Sequence, residues 1–398
     1  MAKVFSSALG ESTNIDRVIG HLSGNCPGPT VVFFAGIHGN EPAGVFALKH
    51  VLNELRVRQT PIYGQIYAIA GNLKALQANV RFLEKDLNRI WTVQEINQIA
   101  NSAENLGSDE KELWELYQLL LEILSQEKAP YYFIDLHTTS SETAPFVVLN
   151  DSMLNRKFAS NYPLPIILGI EEYLVGALLS YINELGYVSL GYESGQHDDI
   201  SSIRNSIDFI FYTLNISGAV QLSTPVRNVL EQQILSSDRR TNTFYEIYYQ
   251  HKITKGNRFK MLPGFRNFQI IPKGRDIAEE NNKPLVTSKK RQIFMPLYQE
   301  LGSEGFYFIR TIPRVLLWIS KGLRWFRVDG LLVYLPGIQW ASLKKDVLLV
   351  DQRIARFMAK SFFHLLGYRA RRLDKTHLVV KNREAASRNW EYKDSKWY

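Results

Sequence analysis

His38 and Glu41 stand three residues apart in Gly36-Ile-His-Gly-Asn-Glu-Pro-Ala-Gly44, and a further histidine, His137, ends the run Phe133-Ile-Asp-Leu-His137. Side chains three apart at the start of a helix can face the same way. A nitrogen from His38 and an oxygen from Glu41 could therefore meet at one ion. If the run ending in His137 lies beside the first one, its imidazole reaches the same place. Two histidines and a glutamate leave one position open on a zinc ion, the usual catalytic arrangement. The plainer reading is that each histidine is a hydrogen-bonded structural residue, and spacing alone leaves both open.

The elements that must position these residues alternate in character. Val31–Gly36 is a continuous apolar run ending in glycine, as a buried parallel strand would be. Glu41–Leu55 follows with Val45, Leu48, Val51, Leu52 and Leu55 on one helical face, and Pro42 is placed in its first turn. Tyr63–Ala70 and Tyr131–His137 read as strands, with an amphipathic helix over Asp109–Gln126 between them. Val147–Asn150, Ile166–Gly169 and Tyr187–Glu193 are further strands, and Glu171–Leu185 reads as helical. This alternation predicts an α/β fold: a mostly parallel sheet with helices on both faces. In such sheets sites gather at the carboxyl ends of strands, which is where His38 and His137 fall.

After about residue 240 the pattern shifts to short aromatic and β-branched runs, Phe244–Ile253, Phe268–Ile271 and Phe306–Arg310, separated by Gly, Pro, Asn and Lys. A small β-rich unit fits them better than further strand–helix repeats. From Arg310 onward there are 19 Lys and Arg against 7 Asp and Glu, whereas the rest of the chain has 28 against 32. The whole excess of positive charge thus lies in the last quarter, where Asp351–Leu366 reads as helical. The division expected is a catalytic domain over 1–240, a β-rich domain over 241–310 and a basic extension over 311–398.

In order along the chain, four elements carry a family resemblance. His38-Gly-Asn-Glu41-Pro-Ala-Gly is similar to the first metal motif of the succinylglutamate desuccinylase/aspartoacylase family, a branch of the zinc carboxypeptidase-like hydrolases. Arg81-Phe-Leu-Glu-Lys-Asp-Leu-Asn88-Arg89 resembles its arginine and Asp-Leu-Asn-Arg element. Asp135-Leu-His137-Thr-Thr resembles the third-ligand motif, and Gly191-Tyr-Glu193-Ser-Gly the element with the catalytic glutamate. Pro263-Gly-Phe-Arg-Asn-Phe268 and Met295-Pro-Leu-Tyr-Gln299 are similar to the family's β-rich second domain. The resemblance runs from about residue 30 to about 310.

It implies one Zn2+ per chain on His38, Glu41 and His137, with Glu193 as general base and Arg81 stabilising the oxyanion. Asn88 and Arg89 would hold a substrate carboxylate, which suits the fork of a guanidinium. Pairing of these arginines with Glu84 or Asp86 is the alternative. Asp135, two residues before His137 on a strand, faces the same way and could hold that imidazole. The implied reaction is hydrolysis of the amide bond of a small N-acylated amino acid. A peptide carboxypeptidase and a non-catalytic metal-binding protein are the competing readings. No residue matches those that grip the far side-chain carboxylate in the aspartate- or glutamate-specific members. Tyr192, Ser194 and His197 lie near enough to Glu193 to shape a pocket.

At 398 residues, 45% hydrophobic and 22% charged, the chain has the composition of a soluble globular protein. Its one cysteine, Cys26, allows neither an internal disulfide nor a cysteine-based zinc site. With no signal-like start and no run near the ~20 apolar residues that span a bilayer, the expected location is cytoplasmic. The basic extension mixes Arg314, Lys321, Arg324 and Arg327 with Trp318, Trp325 and Phe326, a composition compatible with an interfacial helix and peripheral membrane contact. Arg369, Arg371 and Arg372 suit phosphates, but no recognition motif accompanies them and no nucleic acid is expected. The oligomeric state, a homo-oligomer included, is left open.

Overall fold

In the computed structural model the described residues are 1–101, 106–235, 242–326, 328–355, 363, 366–372 and 376–398. Among the described residues, four neighbouring strands toward one end of an 11-stranded sheet position the candidate residues. Cys26–Ala35 lies parallel to Tyr63–Ala70 on one side and to Tyr131–Thr139 on the other, and Tyr131–Thr139 lies parallel to Val188–Gln196. Every residue of Tyr131–Thr139 is buried. Such a strand must be apolar on both faces, which explains why its sequence does not alternate.

Odd and even residues of these strands feed two cores. Val31, Phe33 and Ala35 pack under the Ala43–Val57 and Ile200–Ser217 helices, together with Leu48, Val51 and Phe209. Val32, Phe34 and Phe133 face the Val93–Asn101 and Ser108–Gln126 helices, with Leu113, Leu116 and Leu120 among their neighbours. A parallel sheet covered by helices on both faces is the α/β architecture expected from the sequence. Phe146–Leu149 then runs antiparallel to Val188–Gln196 and parallel to Ile166–Leu168.

The sheet continues past residue 240. Phe244–Lys252 pairs in parallel with Ile166–Leu168 and antiparallel with Glu304–Thr311, and Arg291–Phe294 adds to the edge. Beside it, Phe259–Met261, Asp276–Glu280 and Lys283–Val286 form a three-stranded sheet. The basic extension holds the Arg314–Trp325 helix and a four-stranded sheet with its own apolar cluster, including Leu348, Val350, Tyr368 and Val380. Its last residues fold back on the large sheet. The Tyr392 hydroxyl donates to the Tyr131 carbonyl at 2.5 Å and accepts from the Val188 amide at 3.0 Å, while Trp397 Nε1 donates to Tyr132 Oη at 2.9 Å.

Several local expectations need correcting. The helix expected over Glu171–Leu185 is broken: a 3-10 turn covers Ile170–Glu172, and an α-helix begins only at Leu178. Between them Gly176 adopts φ +72°, a conformation natural to glycine, and sits so close to the Arg89 carbonyl that a Cβ there would overlap it. Pro42 is the N-cap of its helix and not a first-turn residue. Phe268 has φ +65°, so only Ile270–Ile271 of that run is strand. Asp351 ends the Val347–Asp351 strand and a turn follows, with 356–362 and 364–365 outside the described residues. Among the described residues no helix is long and apolar enough to cross a membrane.

Candidate metal centre and its cavity

His38 and Glu41 lie on the turn that leaves the carboxyl end of Cys26–Ala35, and His137 lies near the end of the neighbouring Tyr131–Thr139 strand. Pairing of these two strands brings the three side chains together, and one ligand atom from each lies within 4.8 Å of the others. Glu41 is the hub. Its Oε1 is 2.8 Å from His38 Nδ1, and its Oε2 is 2.9 Å from His137 Nδ1 and accepts from the Thr138 amide at 2.9 Å.

The outer nitrogens of both imidazoles are held by carboxylates. His137 Nε2 is 2.7 Å from Asp135 Oδ2, and His38 Nε2 is 3.2 Å from Asp86 Oδ1. Metal-binding histidines are ordinarily held in this way, with the inner nitrogen turned to the ion. The donor set thus fits a divalent cation in chemistry and in orientation. Asp135 does what its place on the strand suggested. Asp86, the matching group for His38, went unassigned in the sequence because it is 48 residues away.

Burial opposes charge throughout this cluster, and neighbouring charges overrule it at three positions. His38 and His137 hold the Glu41 carboxyl well below the usual carboxylate range despite its burial. His38 and Arg81 do the same for Asp86. His137 is pushed well above the ordinary imidazole value, against burial, by Asp135 and Glu41. Glu193 differs. Burial pushes its carboxyl up to about 8, Glu41 and Asp135 add to that, and His137 and Arg81 pull the other way. Register places Glu193 beside His137 on the adjacent strand, and its Oε2 is buried without a hydrogen-bond partner among the described residues.

All seven residues singled out from the sequence (His38, Glu41, Arg81, Asn88, Arg89, His137 and Glu193) line one cavity. Arg81 is 3.7 Å from Glu41 Oε1 and donates to Asp86 Oδ2 at 3.2 Å, so the pairing alternative with Asp86 exists inside the site. Asn88 is anchored by its carbonyl oxygen, which accepts from the Leu178 amide at 2.9 Å. Arg89 lies 3.3 Å from Glu304, a cavity residue supplied by a strand more than 200 residues later and absent from the sequence assignment. His197, noted only as a neighbour, bridges Thr138 Oγ1 at 2.7 Å and Gln299 Oε1 at 3.1 Å. The wall beyond the Glu193 strand is mainly apolar, with Val148, Leu149, Ile170, Leu174 and Leu179.

Residues 27–201 match the model of the succinylglutamate desuccinylase/aspartoacylase catalytic domain. The succinylglutamate desuccinylase of Serratia proteamaculans is 31% identical over 108 residues, 27% of this chain and 31% of that protein. That of Photorhabdus laumondii is 29% identical over 285 residues, 67% of this chain and 80% of that protein. The chain thus aligns with under a third of the first relative's length and four fifths of the second's. The structure of the Vibrio parahaemolyticus succinylglutamate desuccinylase shares the fold, with a TM-score of 0.52 at 15% identity over 74% of this chain and 86% of that one.

Proposed function

We propose that this chain, whose residues 27–201 match the catalytic domain of the succinylglutamate desuccinylase/aspartoacylase family, hydrolyses the amide bond of a small N-acyl amino acid with one zinc ion. The observation that carries this reading is the convergence of His38 Nδ1, Glu41 and His137 Nδ1, with both outer nitrogens tied to carboxylates, at the wall of a cavity that also holds Glu193 and Arg81. When bound there, zinc would polarise the amide carbonyl and bring the pKa of water toward ~7.

The protein's own groups do the rest. Glu193, buried and with a bare oxygen, would be ionised once a metal charge lies beside it, and its carboxylate then accepts the proton of the attacking water and hands it to the departing amine nitrogen. Arg81 donates to the carbonyl oxygen as negative charge gathers on it. Asn88 and Arg89 hold the α-carboxylate and so fix the amide against Glu193. The products are a carboxylic acid and a free amino acid.

Among the described lining residues, Arg81 and Arg89 are the only ones with a guanidinium or ammonium group, and both already face carboxylates. The stretch of wall formed by Val148, Leu149, Ile170, Leu174 and Leu179 is apolar, with Asn150, Ser180 and the acidic Glu171 beside it, and the other polar lining groups (Thr138, Thr139, Ser140, Ser141, His197 and Gln299) add no further guanidinium or ammonium to receive an anion. A substrate with one carboxylate and an apolar group suits this cavity better than one with two or three carboxylates.

The test is amine release from a panel of N-acyl amino acids, in which acyl chain and side chain are varied. Turnover should vanish with a chelator and return with zinc, and monocarboxylates should lead dicarboxylates by about tenfold or more in kcat/KM, the size of ~1.4 kcal/mol. Glu193→Gln should keep zinc and lose at least ~10²-fold in kcat. Full turnover in that variant would remove Glu193 from the mechanism.

A further inference from the structure

The Arg314–Trp325 helix leaves its largest apolar side chains outside. Its inward side mixes Leu317 and Leu323, half-buried against two apolar clusters, with the buried Ser320 and Arg324, the latter 3.0 Å from Asp151 Oδ2 and 2.9 Å from Glu384 Oε1. Its outward side carries the aromatics. Trp318 is 76% exposed, Trp325 75% and the following Phe326 70%, and Val315 stands out as well. Leu331 and Tyr334, on the adjoining 3-10 segment Val328–Tyr334, are exposed too. Scattered exposed apolar residues need no explanation, but large rings gathered on one short stretch do.

Charge selects what covers this face. Arg314, Trp318, Lys321 and Trp325 follow the spacing i, i+4, i+7, i+11 and so form a single stripe, cation alternating with indole. The helix contains no Asp or Glu, and the extension around it has 18 basic residues to 7 acidic. A second copy meeting this stripe would bring its own Arg314 and Lys321 into the same interface, with no acidic residue from either helix to oppose the four cations. An anionic lipid surface supplies opposite charge for the two cations and an interfacial layer for the rings, where tryptophan is most at home.

We propose that the outward face of the Arg314–Trp325 helix, with Trp318, Trp325 and Phe326 inserted and Arg314 and Lys321 at the headgroups, docks the protein peripherally on an anionic phospholipid bilayer. The Arg324–Asp151 pair ties the inward face of the helix to the large sheet, so docking holds the whole protein at the surface.

The experiment is co-sedimentation of the full chain with vesicles of phosphatidylcholine alone and of phosphatidylcholine with phosphatidylserine, together with tryptophan emission. Binding to the anionic vesicles, a blue shift on binding and weakening by salt are expected. Lys321→Ala should weaken binding about fivefold, the worth of one cation at such a surface. The double variant Trp318→Ser, Trp325→Ser should weaken it more than tenfold with an unchanged circular dichroism spectrum, since both side chains are exposed. Three outcomes would overturn the proposal: no binding of folded protein to anionic vesicles, equal binding to both lipid compositions, or a dimer that the tryptophan variants convert to monomer. None of these depends on turnover, so the amidase reading stands or falls separately.

Discussion

Glu41 carries two imidazoles on its two oxygens, and each imidazole carries an acid on its far side. The chain of contacts therefore runs Asp86, His38, Glu41, His137, Asp135. In such a chain the outer acids set ring orientation and basicity, so on the proposed zinc ion their loss would act without removing a ligand. Asp135 is the cleaner case, because it is fully buried and its Oδ2 contacts His137 at 2.7 Å, whereas Asp86 also serves Arg81 and the Asn88 amide. Asp135→Asn should preserve the fold and weaken zinc binding by roughly 10–100-fold. Competition against a chelator of known affinity measures this directly, and unchanged zinc affinity would make Asp135 an ordinary buried acid with no part in holding the ion.

At the scale of elements, the ligands are placed by a turn with almost no free space. Gly39 lies between His38 and Glu41, and a Cβ on it would overlap the backbone of Ala75 and Leu76 in the Leu73–Ala78 helix. Backbone cannot yield as a side-chain tip can. Gly39→Ala should therefore cost about 3 kcal/mol or more in unfolding free energy, at the upper end for overpacking, and should shift the His38–Glu41 pair enough to lower zinc affinity as well. A denaturation midpoint and a zinc isotherm read the two effects, and wild-type values for both would show that the turn has room after all. The same elements show what a sequence reveals. Tyr63–Ala70 and Ser108–Gln126 were legible because their apolar patterns match the period of the structure they form. The four site motifs were legible because each is local, a few residues at a strand end. Glu304 and Asp86 were not, since their roles arise from partners far along the chain. The break at Gly176 was hidden for a related reason: residues around it keep a helical pattern, and only contact with Arg89 forces the turn.

The whole molecule is joined at one buried ionic knot. Asp151, at the end of the large sheet, contacts Arg156 of its own unit and Arg324 and Arg383 of the basic extension, the last two at 3.0 and 3.3 Å. Arg383 also reaches Glu171 and Glu172 at 2.9 Å, and Glu171 lines the cavity that holds the metal-centre residues. The extension is thus bound both to the sheet and to one wall of the site. Burial alone would raise the Asp151 carboxyl, but Arg156, Arg324 and Arg383 outweigh it and hold it far below the ordinary value. A depressed folded pKa contributes stability above the unfolded value of about 3.9 and loses it as pH falls toward the folded one. Acid below about pH 4 should therefore begin to loosen this junction. The stronger test is Asp151→Asn at neutral pH, which leaves the three guanidiniums buried with only part of their counter-charge. Removing one partner from a buried ion network costs roughly 3–5 kcal/mol, and the loss should show in urea unfolding. On the proposed reaction it should also raise KM, because Glu171 loses a fixed Arg383, while kcat, which that proposal assigns to Glu193 and a bound metal, should change less. A stability loss under about 1 kcal/mol would mean that water already shares the knot, since exposed pairs are worth no more than that.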